Sequence, residues 1–134
     1  MAIPLNFPYK HSGHVELFDF FESASVNAGA NKDLINIQVP TTIKRGFVTY
    51  FGHGIDDLTQ FKNTVWSLKI GNVLVRAYSK IQDQLGPFSQ PQEIIPSVIK
   101  PGDFLAVNVL NNGGSAFLFA ARLKGFFDFQ IGED

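Results

Sequence analysis

The chain contains no cysteine, which excludes disulfides and thiolate-bound metal and fits a reducing compartment such as the cytoplasm. Charge is scarce: 17% of the 134 residues carry it, and 11 basic against 12 acidic residues leave a net charge of −1. No stretch gathers Lys and Arg into a basic stripe, so nucleic acid, which needs cations to replace counterions at its phosphates, is not an expected partner. No apolar run approaches the roughly 20 residues that cross a bilayer, so no membrane partner is expected. The opening MAIPLNFPYKHSGH lacks the charged-then-apolar layout of a signal peptide. A soluble chain made and folded in the cytoplasm is the expectation. Helical periodicity, internal repeats and a linker that would split the chain are missing too.

What the chain does have is phenylalanine: 14 residues, against one Trp and one Met. Phe suits pleated, half-buried surfaces, and its bulk fills the space between two packed sheets. Combined with so little charge, this points to surface covered by a partner, because large apolar patches are uncommon on soluble monomers. A chain of this length is one domain that buries roughly two-thirds of the surface its unfolded form exposes.

Period-two alternation marks out about eight short strands. Val15–Phe21 is apolar on both faces, which reads as a strand with a neighbour on each side. The small polar residues Ser23–Lys32 read as a loop, and Asp33–Val39 as a strand with Ile35, Ile37 and Val39 inward. In Arg45–His53, Phe47, Thr49 and Phe51 share one face, and Gly52-His53-Gly54 breaks the run. Ile55–Asn63 is a loop with room for one helical turn. Thr64–Ile70 alternates most clearly, with Trp66, Leu68 and Ile70 on one face. Gly71-Asn72 is a two-residue hairpin turn leading into Val73–Tyr78, with Val73, Val75 and Ala77 inward. Glu93–Ile99 carries Pro96 and is an edge strand or a bulge. Lys100-Pro101-Gly102-Asp103 has the residues of a type II turn. Beyond it, the strands around Leu105–Val109 and Phe117–Leu123 read as one long hairpin closed at Asn111–Gly114, the centre of the fold. The whole is an all-β, antiparallel β-sandwich, jelly-roll-like, of about eight strands, with residues 15–134 forming the body.

Residues 1–14 are set apart by Pro4, Pro8 and Gly13. Two missing backbone donors rule out a central strand. An extended arm is expected, with Ile3, Leu5, Phe7 and Tyr9 as the residues that contact a partner.

Constellations for chemistry are weak. His11 and His14 are three residues apart and His53 could complete a three-ligand metal site, but two of the three lie in the proline-punctuated arm. No metal and no cofactor is expected. Asp56 and Asp57 occupy a loop and are adjacent, a poor spacing for an acid/base pair across a glycosidic bond. The serines lack the Gly-x-Ser-x-Gly elbow, and Gly113-Gly114 opens no helix that could hold a phosphate. Trp66, Tyr50 and Tyr78 could stack on sugar rings, but Trp66 falls on the apolar side of its strand, where core packing is the simpler role.

From Gly46 onward the pattern of turns and aromatics resembles the small β-sandwich decoration or cement proteins of tailed-bacteriophage capsids. The residues that carry the likeness are Gly46-Phe47-Val48 before Phe51-Gly52, Trp66-Ser67-Leu68 with its turn and Val73, Lys100-Pro101-Gly102-Asp103 with its strand to Asn111, and Arg122-Leu123-Lys124-Gly125-Phe126-Phe127. The resemblance spans about residues 43–129. It implies a non-enzymatic homotrimer on the outside of a phage head, in contact with the major capsid protein and clamping neighbouring capsomers. The alternative expectation is a carbohydrate- or receptor-binding jelly-roll module of a fibre or lectin.

Overall fold

The computed structural model describes residues 14–71, 73–75, 86–87 and 90–129. Within them run eight strands: β1 (His14–Val26), β2 (Asn31–Gln38), β3 (Ile43–Ile55), β4 (Thr64–Ile70), β5 (Val73–Leu74), β6 (Gln92–Ile99), β7 (Phe104–Asn111) and β8 (Phe117–Phe129). A 3-10 helix, Leu58–Asn63, fills the loop that had room for a helical turn. The strands form two four-stranded antiparallel sheets. Sheet I has the order β1-β8-β3-β6, and sheet II the order β2-β7-β4-β5.

These two orders have a simple origin. The pairs β4·β5, β3·β6, β2·β7 and β1·β8 nest inside one another, so the chain is one long hairpin wrapped around a core. This is the jelly-roll arrangement, with each half of the wrapped hairpin contributing to both sheets. Its tip is the turn at Gly71, whose φ of +62° is the left-handed conformation a two-residue turn demands and glycine supplies. The Ile70↔Val73 pair closes that turn. The β6–β7 corner is the expected type II turn: Gly102 has φ +77° and the Asp103 amide donates to the Lys100 carbonyl at 3.1 Å.

The hairpin read at Asn111–Gly114 is therefore wrong. β7 lies in sheet II and β8 in sheet I, and Asn111–Gly114 is part of the link that arches between the sheets. Asn111 makes the arch possible. Its buried side chain donates to the carbonyls of Val26 and Ser115, both at 2.9 Å, and accepts from the Gly113 amide at 2.9 Å. Its backbone meanwhile bonds to Gly29 and Ala30 of the neighbouring β1–β2 turn. One amide thus ties together two sheet-to-sheet crossings.

Other boundaries also shift. β1 continues to Val26 and β2 starts at Asn31, so the loop read over Ser23–Lys32 shrinks to a tight turn. Among the described residues β1 is an edge strand with β8 as its one sheet neighbour, not a strand flanked on both sides. β3 runs through Gly52-His53-Gly54 to Ile55. The register of β3 shifts between Val48 and Tyr50. Thr49 is the extra residue of a bulge, and Val48 and Phe51, not Phe47 and Phe51, point to the core. A second irregularity at Asp33/Ile35 buries both Leu34 and Ile35. Val73, read as inward, is 67% exposed at the hairpin tip. β6, with Pro96, is both an edge strand and irregularly paired, as expected.

The core lies between the sheets. Trp66, Leu68, Leu105, Val107 and Val109 from sheet II meet Val48, Phe51, Ile99, Phe119 and Leu123 from sheet I, all with no exposed surface. Trp66 is a core residue, and its indole N–H donates to the Thr64 hydroxyl at 2.9 Å.

Candidate interaction face

Because β8 alternates, Phe119, Ala121, Leu123 and Phe127 turn inward and the intervening residues turn to the outer face of sheet I. The pairing register lays these out in rows across the sheet. One row is wholly apolar: Leu17 of β1 pairs with Phe126 of β8, Phe126 with Phe47 of β3, and Phe47 with Val98 of β6. It crosses all four strands. The Phe47 and Phe126 rings meet at 5.2 Å between centroids, and the two ends of the row, Leu17 and Val98, are 85% and 54% exposed.

Charged rows flank it. On one side lie Val15, Asp128 and Arg45, with the Arg45 guanidinium 3.7 Å from the Asp128 carboxylate. On the other lie Asp19, Lys124, Tyr50 and Glu93, with the Lys124 ammonium 5.3 Å from the centre of the Tyr50 ring. Asp19 also accepts a two-pronged bond from Arg122, Nε to Oδ1 at 2.8 Å. That hydrogen bond holds its carboxyl below the usual carboxylate range.

Gly125 explains how the row is supported from beneath. A Cβ there would lie 1.9 Å from the Phe47 carbonyl oxygen and 2.6 Å from the Phe18 ring. The Phe47 carbonyl of β3 and the Phe18 ring occupy the space a side chain would need. Phe18 stacks in turn on Phe127 at 4.7 Å and on Phe20 at 5.0 Å.

Further along the same face is an apolar trough of about 300 Å³ lined by Phe21, Ile55, Leu118 and the small residues Gly54 and Ala120. Its one carboxylate, Asp56, is engaged in fastening β3 to β8: its amide donates to the Leu118 carbonyl at 3.0 Å and its Oδ1 accepts from the Leu118 amide at 3.3 Å. Asp57 is likewise structural, capping the 3-10 helix by accepting from the Thr59 amide at 3.1 Å. The adjacent acids have separate architectural duties.

The three histidines do not converge. His14 stands at the start of β1, level with Phe129 and Ile43. His53 is ten residues further along β3, about 30 Å away at the usual strand rise. His53 is fully buried, 4.9 Å from Phe51 and edge-on to Trp66 at 4.5 Å and Phe61 at 5.3 Å. Burial lowers its pKa to about 4, so the imidazole is neutral near pH 7. His11 lies outside the described residues. So do Tyr78 and the whole set Ile3, Leu5, Phe7 and Tyr9. With Trp66 in the core, the sugar-stacking platform loses its central ring.

Sequence reasoning missed the row because its four members sit on four different strands. A signal was present in Val15–Phe21, which is apolar on both faces. No protein-family model, no curated protein and no solved structure matches this chain.

Proposed function

We propose that the chain is a structural virion protein, a capsid decoration or cement protein that binds the outside of a phage head and stabilises contacts between capsomers. The observation that carries the reading is the apolar row Leu17–Phe126–Phe47–Val98, a surface whose favourable use is burial against protein. The jelly-roll body supports it, offering a rigid plate with one sheet face turned outward. So does the resemblance in the segments around Gly46–Gly52 and Arg122–Phe127, where the residues forming the row and its Gly125 support are found. In this reading the major capsid protein is met by the arm, through Ile3, Leu5, Phe7 and Tyr9, and the protein acts at the capsid surface after synthesis in the host cytoplasm.

The test is a truncation. A chain lacking residues 1–10 keeps the urea midpoint of the full chain, because all eight described strands lie in what remains, but no longer cosediments with undecorated heads. Binding that survives the truncation unchanged overturns the assignment of the arm. Failure of the full chain to bind any such head overturns the reading itself.

A further inference from the structure

We infer that the outer face of sheet I is the contact between two copies of this chain, stacked face to face about a two-fold axis that runs along the Leu17–Phe126–Phe47–Val98 row. The inference deepens the reading of the chain as an assembly protein and rests on it.

The apolar row by itself suits many partners; the flanking charges choose this one. An axis along the row leaves the row lying on its own copy: Phe126 on Phe126, Phe47 on Phe47. It also brings each flanking row over the other. On β8, Lys124 then faces Asp128 of the second copy. On β3, the Tyr50 ring faces Arg45. On β6, Glu93 faces Lys100, which lies one register step past the Gly46–Ile99 pair. Of the four columns, opposite charges meet in two, a cation meets an aromatic face in a third, and on β1 Asp19 lies over Val15; two-fold symmetry repeats each contact. The other face-to-face axis, along the strands, keeps one opposite-charge contact, Asp128 on Arg45, but stacks Asp19 on Glu93, like on like, and leaves Lys100 over Val15. Three copies are what the resemblance implies, but the charges of this face favour two.

The size of the overlap sets the strength. The row lies three residues from the Phe129 end of β8, so about seven residues of each strand overlap, roughly 23 Å by the 19 Å width of four strands. That is roughly 450 Å² per copy, short of the ~800 Å² per partner of a standard stable interface. A reversible, concentration-dependent dimer is the expected form.

Sedimentation equilibrium of the isolated chain tests this. The wild type passes from monomer to dimer as its concentration rises toward about 1 mM. Leu17→Glu, at an 85% exposed position where the fold loses little, raises the dissociation constant at least about tenfold. Lys124→Glu and Asp128→Lys each weaken the dimer, and the double variant restores it, because the exchanged charges still meet across the axis. A monomer at every concentration, a trimer, an unchanged constant in Leu17→Glu, or a double variant no tighter than the singles each overturns the inference. No heads are present in this experiment, so its failure is separate from failure of the capsid reading.

Discussion

Replacing Gly125 with alanine is the sharpest test of how sheet I is assembled. The added methyl would stand 1.9 Å from the Phe47 carbonyl oxygen, where a carbon and an oxygen come no closer than about 3.3 Å even in weak hydrogen bonds. A side chain can rotate away, but this neighbour is backbone. β3 and β8 must separate locally by roughly 1.4 Å, enough to stretch the ladder bonds on either side beyond useful length. Losing about two such bonds at ~1 kcal/mol each, with ~2 kcal/mol of overpacking, gives a cost of about 4 kcal/mol. At ~2.1 cal/mol/K of unfolding entropy per residue, this lowers the melting temperature by about 14 °C. Urea unfolding followed by tryptophan fluorescence measures it, because Trp66 sits in the core. Gly114→Ala is the control: nothing lies within 4 Å of its Cβ position, and its stability stays within about 0.5 kcal/mol of wild type. Adding Phe18→Leu to Gly125→Ala relieves the 2.6 Å ring contact but not the carbonyl contact, so recovery is partial. A Gly125→Ala cost below about 1 kcal/mol would refute the reasoning, since it would mean that the Phe47 carbonyl does not press on Gly125.

Two further perturbations follow from buried polar groups. His53 has its folded-state pKa lowered to about 4 by burial, against about 6.5 unfolded, so the unfolded chain takes up the proton first. Its contribution is complete above about pH 6.5 and is lost as the pH falls toward 4, about 3 kcal/mol in all. His53→Phe, which keeps a ring among Phe51, Phe61 and Trp66, should flatten the stability profile over that window, and an unchanged acid slope counts against a neutral buried imidazole. Asn111→Ala removes three side-chain hydrogen bonds from the arch and should cost about 3 kcal/mol by urea unfolding. Asn111→Asp should cost at least as much, because the two carbonyls of Val26 and Ser115 lose their donors.

Local chemistry was the legible part of this fold. Thr64–Ile70 alternates cleanly and forms β4 with the expected limits, and the turns at Gly71 and Gly102 announce themselves through residues that tolerate positive φ. Pairing was not legible. Two apolar strands separated by Asn111-Asn112-Gly113-Gly114 suggest a hairpin, and nothing in that tetrapeptide reports that Asn111 spends its side chain on Val26, 85 residues away. Bulges were hidden for a related reason. The extra residue at Thr49 exchanges the inward and outward sets of β3 partway along, whereas period-two alternation presumes an unbroken pleat.

The misreading of β1 has the most to say about function. Val15–Phe21 is apolar on both faces, a pattern that predicts a sheet neighbour on each side. Neighbours in the sheet satisfy backbone groups, however, and place no demand on which side chains a strand carries. Side chains report on the layers above and below. β1 is an edge strand whose Phe18 packs inward while Val15, Leu17 and Phe21 remain 58%, 85% and 47% exposed on the opposite face. The same doubling recurs across the sheet, where Phe47 and Phe126 lie on the outer face beside inward Val48 and Phe127. A strand pattern suited to two covered faces, in a sheet of which the described residues cover one, supports the proposed reading of this chain as a component of an assembly. The apolar row on that second face is spread over four separated segments of sequence, and only the register that aligns Leu17, Phe126, Phe47 and Val98 makes it readable.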